Sequence, residues 1–346
     1  AMVIAESRYL AEDAALLVEI DYDPLPSVAG CAAAFADDAP LVWDDDFATN
    51  LCVDSDVGDQ AATDAAFARA AHVVRLHTWI RRVTGVPMEP RAAVADYDQT
   101  SDRLVLYCGV QNPHAMRRIL AGQFLNIPET QLRVVSPDMG GAFGMRSSPY
   151  PELALVLHAA RLLRRPVRWT IERSEAFVAD DQARDNRTHG ELALTKDGTF
   201  LALRVRTVAA LGAYVAMGGA GPATMNIGGL AGVYRTPAIH VEVLGVLTNT
   251  PSTSAYRGAG RPEASYTIER LIDAAAREMG IDRIALRRRN TISPAEMPFK
   301  TGLVFTYDCG AFEQNMDLAL EAIDHPGFGE RAGASRKNGK LRGFGL

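Results

Sequence analysis

Cysteine is scarce in this chain. Only Cys31, Cys52, Cys108 and Cys309 occur in 346 residues, and no two of them form a C-x-x-C pair. That scatter excludes a zinc site or an iron–sulfur cluster built from the chain's own ligand runs. Free thiols in a reducing cytosol are the expectation, and with them a cytoplasmic location. No apolar run approaches the roughly 20 residues that a membrane helix needs, and the N-terminus lacks the charged, apolar, small-residue order of a signal peptide. Positive charge is also short: 36 Lys and Arg stand against 42 Asp and Glu, a formal net charge of −6. A broad electrostatic footprint for nucleic acid or anionic lipid is thereby disfavoured. The basic run Arg287-Arg288-Arg289 reads as the solvated face of a helix.

What is present suits a soluble globular protein, with 48% apolar and 23% charged residues and length for two or three domains. Residues 2–6 read as a strand, 8–16 as a helix and 17–22 as a strand closed by Asp23-Pro24-Leu25-Pro26. Residues 29–60, rich in Ala and Asp without a periodic apolar face, read as a linker with a short helix near its start. Strand-like runs follow at 72–82, 91–96 and 104–109, the last two joined by a polar turn. Pro113 suits the first turn of a helix, residues 132–135 a strand, and Leu153, Val156, Leu157, Ala160 and Leu163 one helix face. A hairpin is expected from 190–195 and 200–211, then a glycine-rich stretch at 218–232 and a strand at 240–249. Ile268, Leu271, Ile272, Ala275 and Met279 mark a helix, Asp282 caps the next, and Phe312, Met316, Leu320 and Ile323 mark a last one. Residues 340–346 read as a strand stopped in mid-run. With 2–6, they suggest an internal piece of a longer protein, since strand backbones need partners. Strands and helices interleave without a strict βαβ rhythm, which predicts an α+β fold.

Two loops stand out chemically. In Asp138-Met139-Gly140-Gly141-Ala142-Phe143-Gly144, glycines between a strand and a helix allow close backbone approach and aim N–H groups at oxygens. Met145-Arg146 supplies no Lys-Ser/Thr of a P-loop, and the spacing is not that of a dinucleotide fingerprint. By itself this loop is explained equally by a structural turn. In Ser254-Ala255-Tyr256-Arg257-Gly258-Ala259-Gly260-Arg261-Pro262-Glu263-Ala264, two arginines and two glycines precede an amphipathic helix. That arrangement suits an anion site, or a helix entry with solvated arginines.

The pair GGAFG and AYRGAGRPEA, together with Val110-Gln111-Asn112-Pro113-His114 and residues 152–175 and 266–290, resembles the large subunit of the xanthine oxidase family of molybdenum hydroxylases. The resemblance spans nearly the whole chain. It implies the tail of an α/β hammerhead domain at 1–28, a linker at 29–60, a first molybdenum cofactor-binding domain at 61–305 and the truncated start of a second at 306–346. Family members oxidise an aldehyde, an N-heteroaromatic or carbon monoxide at a molybdenum held by a pterin. For this chain the resemblance implies the molybdopterin cytosine dinucleotide form, with iron–sulfur clusters on a small partner subunit and FAD on a medium one, in a dimerised heteromer.

Residue by residue, the resemblance puts Gln111, Phe143 and Arg257 in the molybdenum environment, with Gly141, Ala142 and Gly144 shaping the backbone around the cofactor. Ser147, Met225, Gly258 and Ala259 fall on the substrate side. Purine-oxidising members carry a glutamate, an arginine and an aromatic where this chain has Ser147, Met225 and Ala259. Copper-using carbon monoxide dehydrogenases carry a cysteine at the position of Gly258. An aldehyde or N-heteroaromatic substrate, with water as the oxygen source, is therefore expected. The general-base glutamate and much of the pterin site are expected beyond Leu346, so that the chain alone retains no cofactor and has no activity. The competing expectations are a folded, non-catalytic interaction module that binds no metal, a free-standing anion-binding protein, and carbon monoxide oxidation by the complete protein.

Overall fold

Largely buried apolar runs between positions 186 and 247 build the three middle strands of the larger sheet in the structure, a computed structural model describing residues 1–346 apart from Asp46, Met225 and Asn226. In chain order the strands are β1 Leu51–Gly58, β2 His72–Ile80, β3 Ala92–Asp98, β4 Arg103–Cys108, β5 Leu132–Val135, β6 Val167–Thr170, β7 Asn186–Leu194, β8 Phe200–Gly212, β9 Ala238–Leu247, β10 Phe299–Lys300 and β11 Thr306–Tyr307. The helices are α1 Arg8–Ala15, α2 Cys31–Ala34, α3 Gln60–Ala68, α4 Pro113–Ile119, α5 Pro151–Leu163, α6 Arg173–Ala179, α7 Gly221–Thr224, α8 Arg261–Met279, α9 Arg283–Asn290, α10 Phe312–Ala322 and α11 Phe328–Lys337.

A five-stranded sheet runs β1-β9-β8-β7-β2 and a four-stranded sheet β5-β4-β3-β6, with β10 and β11 as a separate ribbon. Among the strand pairs of the described residues, β8–β9 and β4–β5 are parallel and the others antiparallel. This mostly antiparallel mixture is the expected α+β fold. The apolar stripe of α8 covers one face of the larger sheet, where Ile268, Leu271, Ile272 and Ala275 pack on Leu192, Leu203, Val205 and Val241. The smaller sheet is covered by α4 and α5, whose Met116, Leu153, Val156 and Leu157 meet Ala93, Ala95, Leu104 and Leu106. Burying such side chains stabilises the fold by roughly 1.5–3 kcal/mol each. The Asp282 side chain accepts from the N–H groups of Ile284 and Ala285, the expected cap.

Several local expectations fail for identifiable reasons. Residues 2–6, 17–22 and 340–346 adopt no strand and find no ladder partner among the described residues. Residues 29–60 are not simply a linker: α2 packs Cys31 and Ala34 on Ala210 and Val246, and Leu51–Gly58 is the edge strand β1, antiparallel to β9. Asp54 and Asp56, poor strand formers, take outward positions of β1 and Ser55 takes an inward one, so the run lacked a strand-like composition. Arg287 is not solvated, because α9 crosses α8 and turns this residue onto Glu269 at 2.7 Å and Asp273 at 2.9 Å. Helix α10 forms as expected but buries none of its residues, and is tied instead by Arg288 to Glu313 and Asp317.

Candidate functional site

The first loop follows β5 and enters a 3-10 turn at Met145–Ser147. Its path requires left-handed backbone at Gly141 (φ 110°), Phe143 (φ 57°) and Gly144 (φ 107°). A Cβ on Gly144 would lie 2.3 Å from the carbonyl oxygen of Ala255, so the absent side chain is what lets the two loops touch. Phe143 carries a side chain in that costly region and is itself 41% exposed, which marks a backbone held against its own preference. Gln111, just beyond β4, accepts the Gly144 N–H through Oε1 at 2.8 Å, and its own N–H donates to the Arg146 carbonyl at 3.2 Å.

Across this junction the Arg257 N–H donates to the Phe143 carbonyl at 2.8 Å. The second loop then turns through Gly258 (φ 99°), Ala259 (φ 45°) and Gly260 (φ 94°) into the N-terminus of the 19-residue α8, the positive end of a long helix. The structure thus brings together Gln111, the pair Phe143 and Gly144, and Arg257, from three separate stretches of the chain. Ser147 is exposed on the 3-10 turn after the first loop. Gly141 and Ala142 are half-buried within the loop, and Gly258 and Ala259 lie on the second. Met225 lies outside the described residues.

Sequence reasoning missed the supports. Arg146 is 2% exposed and donates to the carbonyls of Glu89, Pro90 and Gly109. Glu89 in turn exchanges hydrogen bonds with Gly140, accepting its N–H through the carboxylate and donating its own N–H to the Gly140 carbonyl. Behind the 3-10 turn, Ser148 donates to Asp181, and Tyr150 donates to the Met145 carbonyl at 2.9 Å while accepting the Asp181 N–H at 3.0 Å. Burial pushes the Asp181 carboxyl above its usual range, against the opposing Ser148 hydroxyl and Arg91. Arg146 adjoins the GGAFG motif and could have been flagged by position; Glu89 and Asp181 carried no local signal.

The donor set decides what this surface can hold. With Oε1 committed to Gly144, the Gln111 amide N–H groups have no partner among the described residues, and neither has the exposed Arg257 guanidinium. These are hydrogen-bond donors and a cation, suited to oxygens carrying negative charge. Protein ligands for a bare metal ion are missing: among the described residues no three His, Cys, Asp or Glu gather, and burial pushes the nearby Cys108 thiol up to about 12. Donors and a cation repel a bare metal ion and suit an anionic group.

Comparison with known proteins agrees. Residues 43–291 match the molybdopterin cofactor-binding domain family. The chain is 36% identical, over 100% of its length, to the carbon monoxide dehydrogenase large chain of Hydrogenophaga pseudoflava, of which it covers 45%. It is 34% identical, over 99% of its length, to the 6-hydroxypseudooxynicotine dehydrogenase complex subunit gamma of Paenarthrobacter nicotinovorans, covering 43%. The structure of quinoline 2-oxidoreductase from Pseudomonas putida 86 superposes with a TM-score of 0.88 at 36% identity, over 97% of this chain and 42% of that one. The chain spans less than half the length of each of these relatives.

Proposed function

The chain belongs to the molybdopterin cofactor-binding domain family, among the large subunits of xanthine oxidase-type molybdenum hydroxylases, and on that premise we propose that its two-loop surface is one wall of a molybdenum–pterin site. The observation that carries this reading is the 2.8 Å hydrogen bond from Gly144 N–H to Gln111 Oε1, which orients the amide as a donor toward the ligand. When bound, the cofactor supplies a two-electron oxidation of an activated carbon, with water as the oxygen source. Gln111 then offers neutral N–H donors to a ligand oxygen, and Arg257 offers positive charge beside it. The Phe143 ring covers the approach to the junction and limits access of water. Gly141, Ala142 and Gly144 set the loop path, although Gly144 is needed for contact with Ala255 rather than for space around a ligand. No glutamate of this chain is assigned as base: Glu89 is tied to Gly140, and Glu263 is buried against Arg184. We place that base in a part of the complete protein outside these residues.

We further assign residues 1–28 to the tail of a hammerhead domain and 306–346 to the opening of a second cofactor-binding domain. The pterin is taken as the cytosine dinucleotide form, with iron–sulfur and FAD subunits carrying electrons away in a dimerised heteromer. The substrate is an N-heteroaromatic or an aldehyde. Ser147 and Ala259 offer a purine neither carboxylate nor ring stack, and relatives named for quinoline and hydroxypseudooxynicotine favour heteroaromatic chemistry. A copper-binding thiolate does not fit at Gly258, where a Cβ would lie 2.5 Å from the Pro262 ring. Steady-state assays of the complete heteromer test this, comparing a quinoline, an aldehyde, xanthine and carbon monoxide with copper chelated. Heteroaromatic or aldehyde turnover is expected to exceed the others; xanthine as best substrate, or copper-dependent carbon monoxide oxidation, overturns the assignment.

A second reading concerns the chain by itself. Gln111, Phe143 and Arg257 are all exposed, as a wall without its opposite side would be. We propose that the isolated chain folds without retaining the cofactor, which elemental analysis showing about one molybdenum per chain would contradict.

A further inference from the structure

Arg257 has an exposed side chain on a loop of strained backbone, and something must hold that loop. The holder lies 73 residues upstream of it. Arg184 donates through one terminal nitrogen to the Tyr256 carbonyl at 2.8 Å and through the other to the Arg257 carbonyl at 3.1 Å. Its Nε lies 3.3 Å from Glu263 Oε1, and both side chains are only 9% exposed. The guanidinium also stacks on the Tyr256 ring, 4.7 Å from its centroid.

We propose that Arg184, neutralised by Glu263, is the positioning residue for Arg257: it draws the Tyr256 and Arg257 carbonyls inward and thereby presents the Arg257 guanidinium at the surface of the site. The inference rests on the reading of Arg257 given above. Three consecutive left-handed residues, Gly258, Ala259 and Gly260, turn the chain immediately after the two carbonyls that Arg184 grips. Arg184 and Asp185 are themselves left-handed, at φ 67° and 64°. Their own frame is rigid. Ala183 exchanges backbone hydrogen bonds with Val83, Ser254 N–H donates to Gln182 O, and the Asp185 carboxylate accepts from Trp79 and Arg82. A planar guanidinium suits the task because it spans two carbonyls and one carboxylate at once, which an ammonium does not. The carboxylate removes a buried charge that would otherwise repel Arg257.

Hydrogen exchange on the 346-residue chain tests this, read at the Arg257 amide that donates to Phe143 and, as control, at β7–β8 amides. In Arg184→Ala the Arg257 amide is expected to exchange about tenfold to hundredfold faster while the strands keep their protection. Added guanidinium ion at millimolar concentration is expected to restore slow exchange, whereas methylammonium, which cannot span the two carbonyls, is expected not to. Should Arg184→Ala fail to fold, Arg184→Lys decides, with faster exchange confined to residues 256–260. Unchanged exchange at Arg257, or equal loss across the strands, overturns the proposal. Molybdenum content of the complete enzyme carrying Arg257→Ala is the separate test of the site. If that content and the turnover stay normal while Arg184→Ala still loosens the loop, the site reading fails and the positioning stands.

Discussion

The side-chain oxygen of Gln111 accepts the backbone N–H of Gly144 at 2.8 Å, and this bond fixes which end of the amide faces outward. A flipped amide would set donor against donor and lose the bond. The loop glycine therefore selects the donor face of a glutamine that lies 33 residues earlier.

Gln111→Glu keeps an oxygen for Gly144 but replaces the outward donors with negative charge. The chain is expected to keep its stability within about 0.5 kcal/mol, as for an exposed position. Turnover of the complete enzyme is expected to fall by about 10²–10³, the usual effect of losing an oriented donor. Unaltered turnover in the steady state would contradict the role given to Gln111.

Gly144→Ala should be costly for the fold itself. Its Cβ would meet the Ala255 carbonyl at 2.3 Å and sit at φ 107°, so a loss of about 2–5 kcal/mol is expected from overlap and backbone strain together. Gly122→Ala is the contrast, since nothing lies within 4 Å of its Cβ and its φ is not positive. Chemical denaturation should find Gly122→Ala neutral or stabilising. Equal midpoints for the two variants would show that the loops do not pack as described.

Much of this site was legible before its geometry was known, and the limit is physical. The stripe of α8 matched expectation because one buried face leaves a periodic trace, and the strand at 132–135 because its β-branched valines favour extended backbone. The two loops were legible because their glycines and arginines are local. The edge strand β1 was not, since its aspartates are poor strand formers and Ser55 breaks the apolar inward row. Arg184 and Glu89 were not legible either. They act on backbone carbonyls and amides of distant segments, and a carbonyl leaves no mark on the identity of the residue that carries it.

Asp181 gives a pH signature. Burial raises its pKa in the folded state, so the folded chain holds this proton more tightly than the unfolded chain does. Its contribution is neutral well below the ordinary aspartate value. It becomes destabilising as pH rises through that value, and is constant above the raised one. Asp181→Asn keeps an acceptor for the Ser148 hydroxyl and removes the titration. Stability measured against pH is expected to favour the Asn variant increasingly across that window, then by a constant margin. A difference that does not vary with pH would mean that Asp181 is not shifted upward.

Gly258→Cys should not convert the site to copper chemistry. The new Cβ would overlap the Pro262 ring at 2.5 Å, at a φ of 99° that side chains rarely adopt. The complete enzyme carrying this variant is expected to lose activity without gaining copper-dependent carbon monoxide oxidation. Stoichiometric copper with such activity would show that the loop re-forms readily around a thiolate.

If the metal sits at the junction of the two loops, anomalous scattering at the molybdenum edge from crystals of the complete heteromer will locate it there. A single molybdenum peak per chain is expected over the contact of Gln111, Phe143 and Arg257, with a ligand oxygen accepting from Gln111 Nε2. A molybdenum peak elsewhere, with both loops in the conformation described, would contradict it.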